Sequence, residues 1–427
     1  MTDPRRLALQ LLCRYEEEKR YVNLSLPKEH PQKAFLTALF YGTVEHLLTF
    51  DYYISSLAGK TKVDPYTRNV LRLGMQQILY MDTPEHVAVS ETVKLARNKG
   101  EAGFVNALLR ETVRKKENLP LPPREKHALR HLSVKYSVAL PLVRTLFAAL
   151  ESEEETEAFL SAISKKAPTS LTVNTCKTSV NDFIESLEAQ GLEVQKAPFT
   201  SRGVSLLSPT PIPAVKGYGE GHFFVQDEAA RLAVEVLSPK KGNTVVDVCA
   251  APGGKTFCAA VCAEGEGEFY AFDLHESKLP LICDSAKRLG FTVHTKAHDS
   301  TQADPTLTEK ADRVICDVPC SGMGVLGKKP DMRYKSTETF SALPALQGQI
   351  LEQAFTYLKK GGRLLYATCT VIKEENEGVV ESFLSAHENA RLLPFKIGEL
   401  ESQNGMLTLY PHRHQTDGFF IALLERT

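Results

Sequence analysis

The sequence predicts a chain of three parts: an all-helical N-terminal domain, a compact α+β module, and an α/β domain built on a parallel, doubly wound sheet. Three observations carry this. From residue 4 to about residue 116, apolar residues recur at helical spacing with no strand signal. From about 131 to 225, helical segments alternate with short strand-like runs. From about 226 onward, five strand-like runs are separated by helical patterns, the alternation expected of a parallel sheet covered on both faces. At 427 residues, 43% hydrophobic and 24% charged, the chain is too long for one ordinary domain and apolar enough to fill several cores.

In the first part, "TRNVLRLGMQQILYM" repeats Val70, Leu71, Leu73, Gly74, Ile78 and Leu79 on a helical period, punctuated by Pro65, Pro84 and Gly100. It ends in a basic cluster, Arg110, Arg114, Lys115 and Lys116. That cluster is either a phosphate-binding patch or a solvated helix end with cations near its C-terminus. Pro120, Pro122 and Pro123 cannot continue a helix and mark a linker, so the domain is expected to span 1–127. The middle module, expected over 128–225, carries helical "LPLVRTLFAALES" and "VNDFIESLEAQG" among the strand-like "TSLTVNT", "LEVQKA", "GVSLLS" and "GHFFVQD". The third domain, 226–427, carries "NTVVDVCA", "EFYAFDL", "TVHTKAH", "DRVICDVP" and "GRLLYATCT" as its strands.

A formal net charge of -1 gives no global signature of a nucleic-acid binder, so such a partner needs a local basic patch. The N-terminal "MTDPRRLALQLLCRYEEEK" has no apolar core of signal-peptide length, and no later run reaches the roughly 18 apolar residues of a membrane span. A soluble, cytoplasmic chain is expected. Nine cysteines without a C-x-x-C pair suggest reduced thiols. Cys258 and Cys262, one helical turn apart, read as the buried face of a helix, and no metal site is expected.

The chemistry gathers at the carboxyl ends of the third domain's strands, where doubly wound sheets bind ligands. The first strand runs into "APGGKTFCAAV", a glycine turn opening a helix, in which Gly253 and Gly254 let a ligand approach the backbone. The first glycine of a phosphate loop is missing, which disfavours ATP. The second strand ends at Asp273, at the interval where an acidic residue bonds ribose hydroxyls; the third is followed by Asp299 and the fourth by Asp317. Strand after strand ending in a ligand-competent residue describes a nucleoside pocket. Asp317 and Cys320 flank the proline of "DVPCSGMG", whose Ser321, Gly322 and Gly324 read as a flexible loop, and the fifth strand delivers Cys369 on the same edge. Neighbouring strands lie about 4.8 Å apart, so both thiols can face one substrate; the alternative is a pair of half-buried structural cysteines.

"DVCAAPGGKT", "DVPCSGMG" and "YATCT" together resemble the S-adenosylmethionine-dependent RNA cytosine-C5 methyltransferases of the Sun/NOL1/NOP2 family. "FFVQDEAARLA", with Gln226 and Asp227, looks like the segment that opens that catalytic domain, and "TDGFFIALLER" like its closing strand. "LRLGMQQILYMDTPEHVAVSETVKLARNKGEAGFVNALLR" resembles a NusB-type RNA-binding helical domain. The resemblance implies a NusB-like domain, a ferredoxin-like or RRM-like subdomain and a Rossmann-like class I methyltransferase domain. It implies that Cys249, Ala250, Ala251, Pro252, Gly253, Gly254 and Lys255 line the S-adenosylmethionine site, with Asp273 at the ribose and Asp299 at the adenine. Asp317 would lie between cofactor and cytosine, Cys369 would be the nucleophile, and Cys320 would assist product release. The implied substrate is one cytosine of small-subunit (16S) rRNA, with no DNA or membrane partner and a monomeric enzyme.

Two departures bear on RNA contacts: "GKKPDMRY" has Gly327 and Lys328 where paired arginines are usual and Lys329 at the His position, and "LTVN" has Thr172 where arginine is common. Tyr334 beside Arg333 is a candidate to stack or steer the base, or else an ordinary surface pair. A DNA cytosine methyltransferase also uses a Pro-Cys loop, but it pairs this with an E-N-V element that "EENEG" does not supply, and it has no use for a second thiol. The other readings are a C5 methyltransferase for a different RNA, and an RNA-binding antitermination or assembly factor with an inert catalytic scaffold.

Overall fold

A computed structural model describes residues 3–18, 26–27 and 29–427. The ends of the N-terminal stretch read above for a signal segment, residues 1, 2 and 19, lie outside the described residues. The chain divides into two compact units, residues 1–164 with 326–337, and residues 165–325 with 338–427.

The first unit is helical: α1 (Pro4–Glu18), α2 (Lys33–Glu45), α3 (Leu47–Ala58), α4 (Pro65–Tyr80), α5 (Glu85–Val93), α6 (Lys99–Arg114), α7 (Ala128–Lys135), α8 (Leu140–Leu150) and α9 (Glu153–Ile163). Helix α4 starts where Asp64 accepts from the Thr67 N–H at 3.3 Å and Pro65 presets the first turn. It is the central helix, with Val70, Leu71, Leu73, Met75 and Ile78 buried. Its one fully enclosed cation, Arg72, is neutralised by Glu16 at 2.6 Å and Asp51 at 2.7 Å. Past α6 the proline-rich stretch leaves the helical conformation, yet Leu119 and Leu121 still pack on this core. Residues 326–337 belong to this unit.

In the second unit, β1 (Thr169–Val173), α10 (Val180–Glu188), β2 (Val194–Lys196), β3 (Gly203–Leu206) and β4 (Phe223–Val225) form an antiparallel sheet of order β2-β3-β1-β4 with its own core around Phe183, Leu187 and Phe223. Then follow α11 (Glu228–Leu237), β5 (Asn243–Asp247), α12 (Gly254–Cys262), β6 (Gly267–Asp273), α13 (Leu279–Leu289), β7 (His294–Ala297), β8 (Ala311–Asp317), α14 (Leu343–Thr356), β9 (Leu358–Thr368) and α15 (Glu377–Ala386). The chain closes with β10 (Ala390–Leu392), β11 (Phe395–Ile397), β12 (Leu400–Ser402), β13 (Met406–Leu409), α16 (Pro411–His414) and β14 (Phe419–Arg426).

The large sheet has the order β10-β14-β9-β8-β5-β6-β7, with β13 also on β14. Strands β9, β8, β5, β6 and β7 run parallel, with the apolar runs of β5, β8 and the second half of β9 buried in the middle of the sheet, and β14 is antiparallel to β9. Separate apolar cores cover its two faces, one including α11 and α12, the other α14 and α15. Cys258 is fully buried in the first, with Cys262 packed beside it, as the helix-face reading expects. Among the described residues no single helix is long and apolar enough to cross a membrane.

Candidate active site

The site begins where β5 ends. After Asp247 the chain makes a tight turn in which Gly253 has φ +108, and a side chain there would meet the Phe257 ring at 2.4 Å. Glycine is therefore required twice over, for the left-handed backbone and for the close helix contact. The turn and the end of β8 border a cavity of about 170 Å³ lined by Gln226, Asp247, Cys249, Ala250, Ala251, Pro252, Gly254, Lys255 and Asp317, with Val225 and Ala230. Most of the glycine-turn residues singled out in the sequence are thus brought together. Gln226 is tied to this turn, donating from Nε2 to the Gly254 carbonyl at 3.1 Å.

Two charged groups govern the cavity. Lys255 donates to Asp317 at 2.6 Å and sits over the Phe419 ring, 5.2 Å from its centroid. Burial would lower its pKa, but the charge and hydrogen bond of Asp317, helped by Asp247 and the Cys369 sulfur, raise it above the usual lysine value. Asp247 is 1% exposed; one oxygen accepts from the Thr256 hydroxyl at 2.7 Å while Oδ1 is buried without a partner. Burial, opposed by that hydrogen bond, pushes its carboxyl up to about 7. Asp247 and the Lys255–Asp317 pair were not singled out as such in the sequence. The apolar run "VVDVCA" placed an acid at a buried strand end, which was the available signal.

Strands β8 and β9 are hydrogen-bonded neighbours, with Asp317 opposite Ala367. Their following loops meet: Cys320 Sγ lies 3.1 Å from Cys369 Sγ. Neither is in a disulfide, and neither is fully buried. The hydrogen bond to Cys369, and then burial, push the Cys320 thiol well above its ordinary pKa.

The Cys320 loop is packed rather than flexible: the Gly324 N–H donates to the Cys369 carbonyl at 3.0 Å, and a side chain on Gly324 would meet the Gly418 carbonyl at 1.8 Å. Asp273 is 7% exposed and anchored by the His275 N–H at 3.0 Å and Lys278 at 3.2 Å, whereas Asp299 is exposed and bonds Thr301; neither lines the cavity. Thr172 is no surface position. It is fully buried, donating to Gln226 at 2.8 Å and accepting from the fully buried Arg231 at 2.9 Å, so the usual arginine is replaced inside a hydrogen-bond network rather than on a face open to RNA.

Arg333 and Tyr334 are likewise not exposed reading groups. Arg333 is 1% exposed and bonds Glu45 at 2.8 Å and the Ile163 carbonyl at 3.2 Å; the Tyr334 hydroxyl meets Ser137 at 2.8 Å and the Glu45 carbonyl at 2.9 Å. An enclosed guanidinium needs such a set of acceptors, and it finds them within the helical unit. In the basic cluster, Arg114 and Lys115 pair with Glu111, and Lys116 with Glu85 at 3.4 Å. Two carboxylates thus meet three of its four cations, while Arg110 bonds the Asn106 amide oxygen at 3.2 Å.

A parallel doubly wound sheet with a glycine turn and two thiols at its carboxyl edge fits a Rossmann-like methyltransferase of the S-adenosylmethionine-dependent type. Family models place it further. Residues 234–425 match the 16S rRNA methyltransferase RsmB/F, residues 2–114 the NusB family, and residues 142–213 the ferredoxin-like domain of RsmF/B-like methyltransferases. The chain is 33% identical to the probable ribosomal RNA small subunit methyltransferase B of Bacillus subtilis over 100% of its own length and 99% of the relative's, and 34% identical to the Synechocystis counterpart over 100% of both. The crystal structure of PH0851 superposes with a TM-score of 0.78 at 30% identity, covering 100% of this chain and 99% of that one. The chain belongs to the RsmB/F family of rRNA methyltransferases.

Proposed function

We propose that the protein methylates carbon 5 of a cytosine in 16S rRNA, using S-adenosylmethionine and a transient bond from Cys369 to carbon 6 of the base. The observation that carries this is the meeting of two thiols, Cys320 and Cys369, 3.1 Å apart on adjacent strand ends beside the Lys255–Asp317 pair. A methyltransferase acting on a nucleophilic nitrogen or oxygen has no need of a thiol; carbon 5 of cytosine does, because it is a poor nucleophile until carbon 6 is attacked.

The residues fit the cofactor. The orphaned Oδ1 of Asp247 suits a methionine ammonium and the glycine turn leaves room for the chain; Asp273, outside that cavity at the end of the neighbouring strand β6, is the acid for the ribose diol. When bound, S-adenosylmethionine supplies an electrophilic methyl group. Lys255, whose charge Asp317 sustains, is close enough to feel the Cys369 sulfur, which reacts as the thiolate. That thiolate adds to carbon 6, and the resulting enamine is nucleophilic at carbon 5. Asp317 orients the amino edge of the base. After carbon 5 has been alkylated, its proton passes to solvent water, the ring double bond re-forms, and Cys369 leaves as thiolate, with the protonated Cys320 sulfur beside it as the group assisting that release. The base must be unstacked for either face to be reached, which favours a single-stranded or opened stretch of RNA over duplex DNA.

The test is transfer of labelled methyl from S-adenosylmethionine to unmodified 16S rRNA, followed by base analysis and mapping. A single 5-methylcytosine is expected. Label on nitrogen or ribose oxygen would overturn the carbon-5 assignment, and cofactor binding without any transfer would favour the inert scaffold.

A further inference from the structure

Glu375 has no part in the chemistry above, yet it is a carboxylate 1% exposed beside the two thiols. It ends the short 3-10 turn Lys373–Glu375 that follows the Cys369 strand end. Its Oε2 accepts from the backbone N–H of Ser321 at 2.8 Å and from Gln347 Nε2 at 2.8 Å. The same Gln347 nitrogen donates to the Pro319 carbonyl at 3.0 Å. Both neighbours of Cys320 are therefore held, directly or through one amide, by a single carboxylate from the segment after Cys369. That segment is itself pinned to β9, since the Tyr366 hydroxyl donates to the Glu375 carbonyl at 2.6 Å.

An apolar residue would fill this space at far lower desolvation cost, and Oε1 of Glu375 and Oε1 of Gln347 are buried without partners. Packing alone does not account for the arrangement. We propose that Glu375 is a positioning residue that clamps the Cys320 loop onto the Cys369 loop and so holds the two sulfurs in contact. The Ser321–Thr370 hydroxyl contact at 2.7 Å joins the same two loops. Beside the Cys369 contact and burial, the charge of Glu375 also helps push the Cys320 thiol upward, which keeps that sulfur protonated at rest. The catalytic consequence rests on the reading of the thiols as the reacting pair; the geometric one does not.

The experiment follows disulfide formation between Cys320 and Cys369, driven by diamide in the full-length protein without RNA and read by mass spectrometry of the joined peptide. It runs alongside kcat and KM for S-adenosylmethionine. Because sulfur pairs close only within narrow geometry and small misplacements cost large factors in rate, Glu375→Ala is expected to slow closure about tenfold or more. It should lower kcat similarly with KM unchanged. Glu375→Gln keeps an acceptor at the same reach and is expected within about threefold of wild type on both readouts. Closure as fast in Glu375→Ala as in wild type overturns the clamp, as does failure of the glutamine variant to rescue. Slow closure with undiminished methyl transfer supports the clamp and instead sinks the covalent reading. Should Glu375→Ala not fold, Gln347→Ala, which removes one of the two bonds, is expected to slow closure by an intermediate factor; no slowing there is equally fatal.

Discussion

The sulfurs of Cys320 and Cys369, 49 residues apart in the chain, stand 3.1 Å from each other at the ends of two hydrogen-bonded parallel strands. This contact divides the labour of the proposed reaction, since one sulfur can bond the base while the other stays protonated close by. Replacing Cys369 with alanine is expected to lower methyl transfer by at least about 10³-fold and abolish any covalent RNA complex. Replacing Cys320 is expected to leave attack intact and impair release, so that a denaturation-resistant protein–RNA complex accumulates on gels. The reverse pattern, a complex trapped only in the Cys369 variant, would exchange the two roles.

Asp247 makes the stability of the free protein pH-dependent. Its folded carboxyl titrates at about 7 against 3.8 for an ordinary aspartate, so the folded state binds the proton more tightly. The stabilisation is fully present below the unfolded value, declines as pH rises from about 4, and is gone above about 7. Asp247→Asn keeps an acceptor for Thr256 and removes the titration. Thermal unfolding at pH 5 and pH 8 should show the wild type losing more than this variant; parallel losses would refute the assignment.

The two acids after β6 and β7 should behave differently. Asp273, oriented by the His275 N–H and Lys278, is expected to bond the cofactor ribose, and Asp273→Ala to raise KM for S-adenosylmethionine about tenfold or more with kcat little changed. Exposed Asp299 holds its own turn through Thr301, so Asp299→Ala should raise KM less. Isothermal titration with S-adenosylhomocysteine checks the order, and equal effects would contradict it.

Thr172 offers a test of substitution by family habit. Thr172→Arg would place a second guanidinium next to buried Arg231, whose partners Thr200, Thr172 and the Leu171 carbonyl are already engaged. A destabilisation of about 3–5 kcal/mol is expected, the scale of an uncompensated buried charge, with no gain in RNA affinity. Urea unfolding and RNA titration measure both, and a stable variant that binds RNA more tightly would reverse this reading.

Much of the fold was legible in the sequence because its signals are local. The unbroken helical period around Val70 and Ile78, the apolar runs of β5 and β9, and the glycine turn at Gly253 are each written within a dozen or so neighbouring residues, and local chain geometry enforces them. The motif set at Asp317, Cys320 and Cys369 was legible for the same reason, as Asp317 ends β8 with Cys320 in the loop just after it, and Cys369 directly follows β9.

Tertiary structure decided which of these residues meet and which are enclosed. Strand order set β8 beside β9 and β5, and with that came the sulfur contact, the Lys255–Asp317 pair and the reach of Glu375 to Ser321. Burial enclosed Arg333 and Thr172 among hydrogen-bonding partners, and half-buried Tyr334, a candidate to stack on a base, has its hydroxyl engaged by Ser137 and the Glu45 carbonyl. Sequence fixes side-chain chemistry and short-range conformation; the distance between residues far apart in the chain, and the water each one loses, exist only once the strands have paired and the cores have closed.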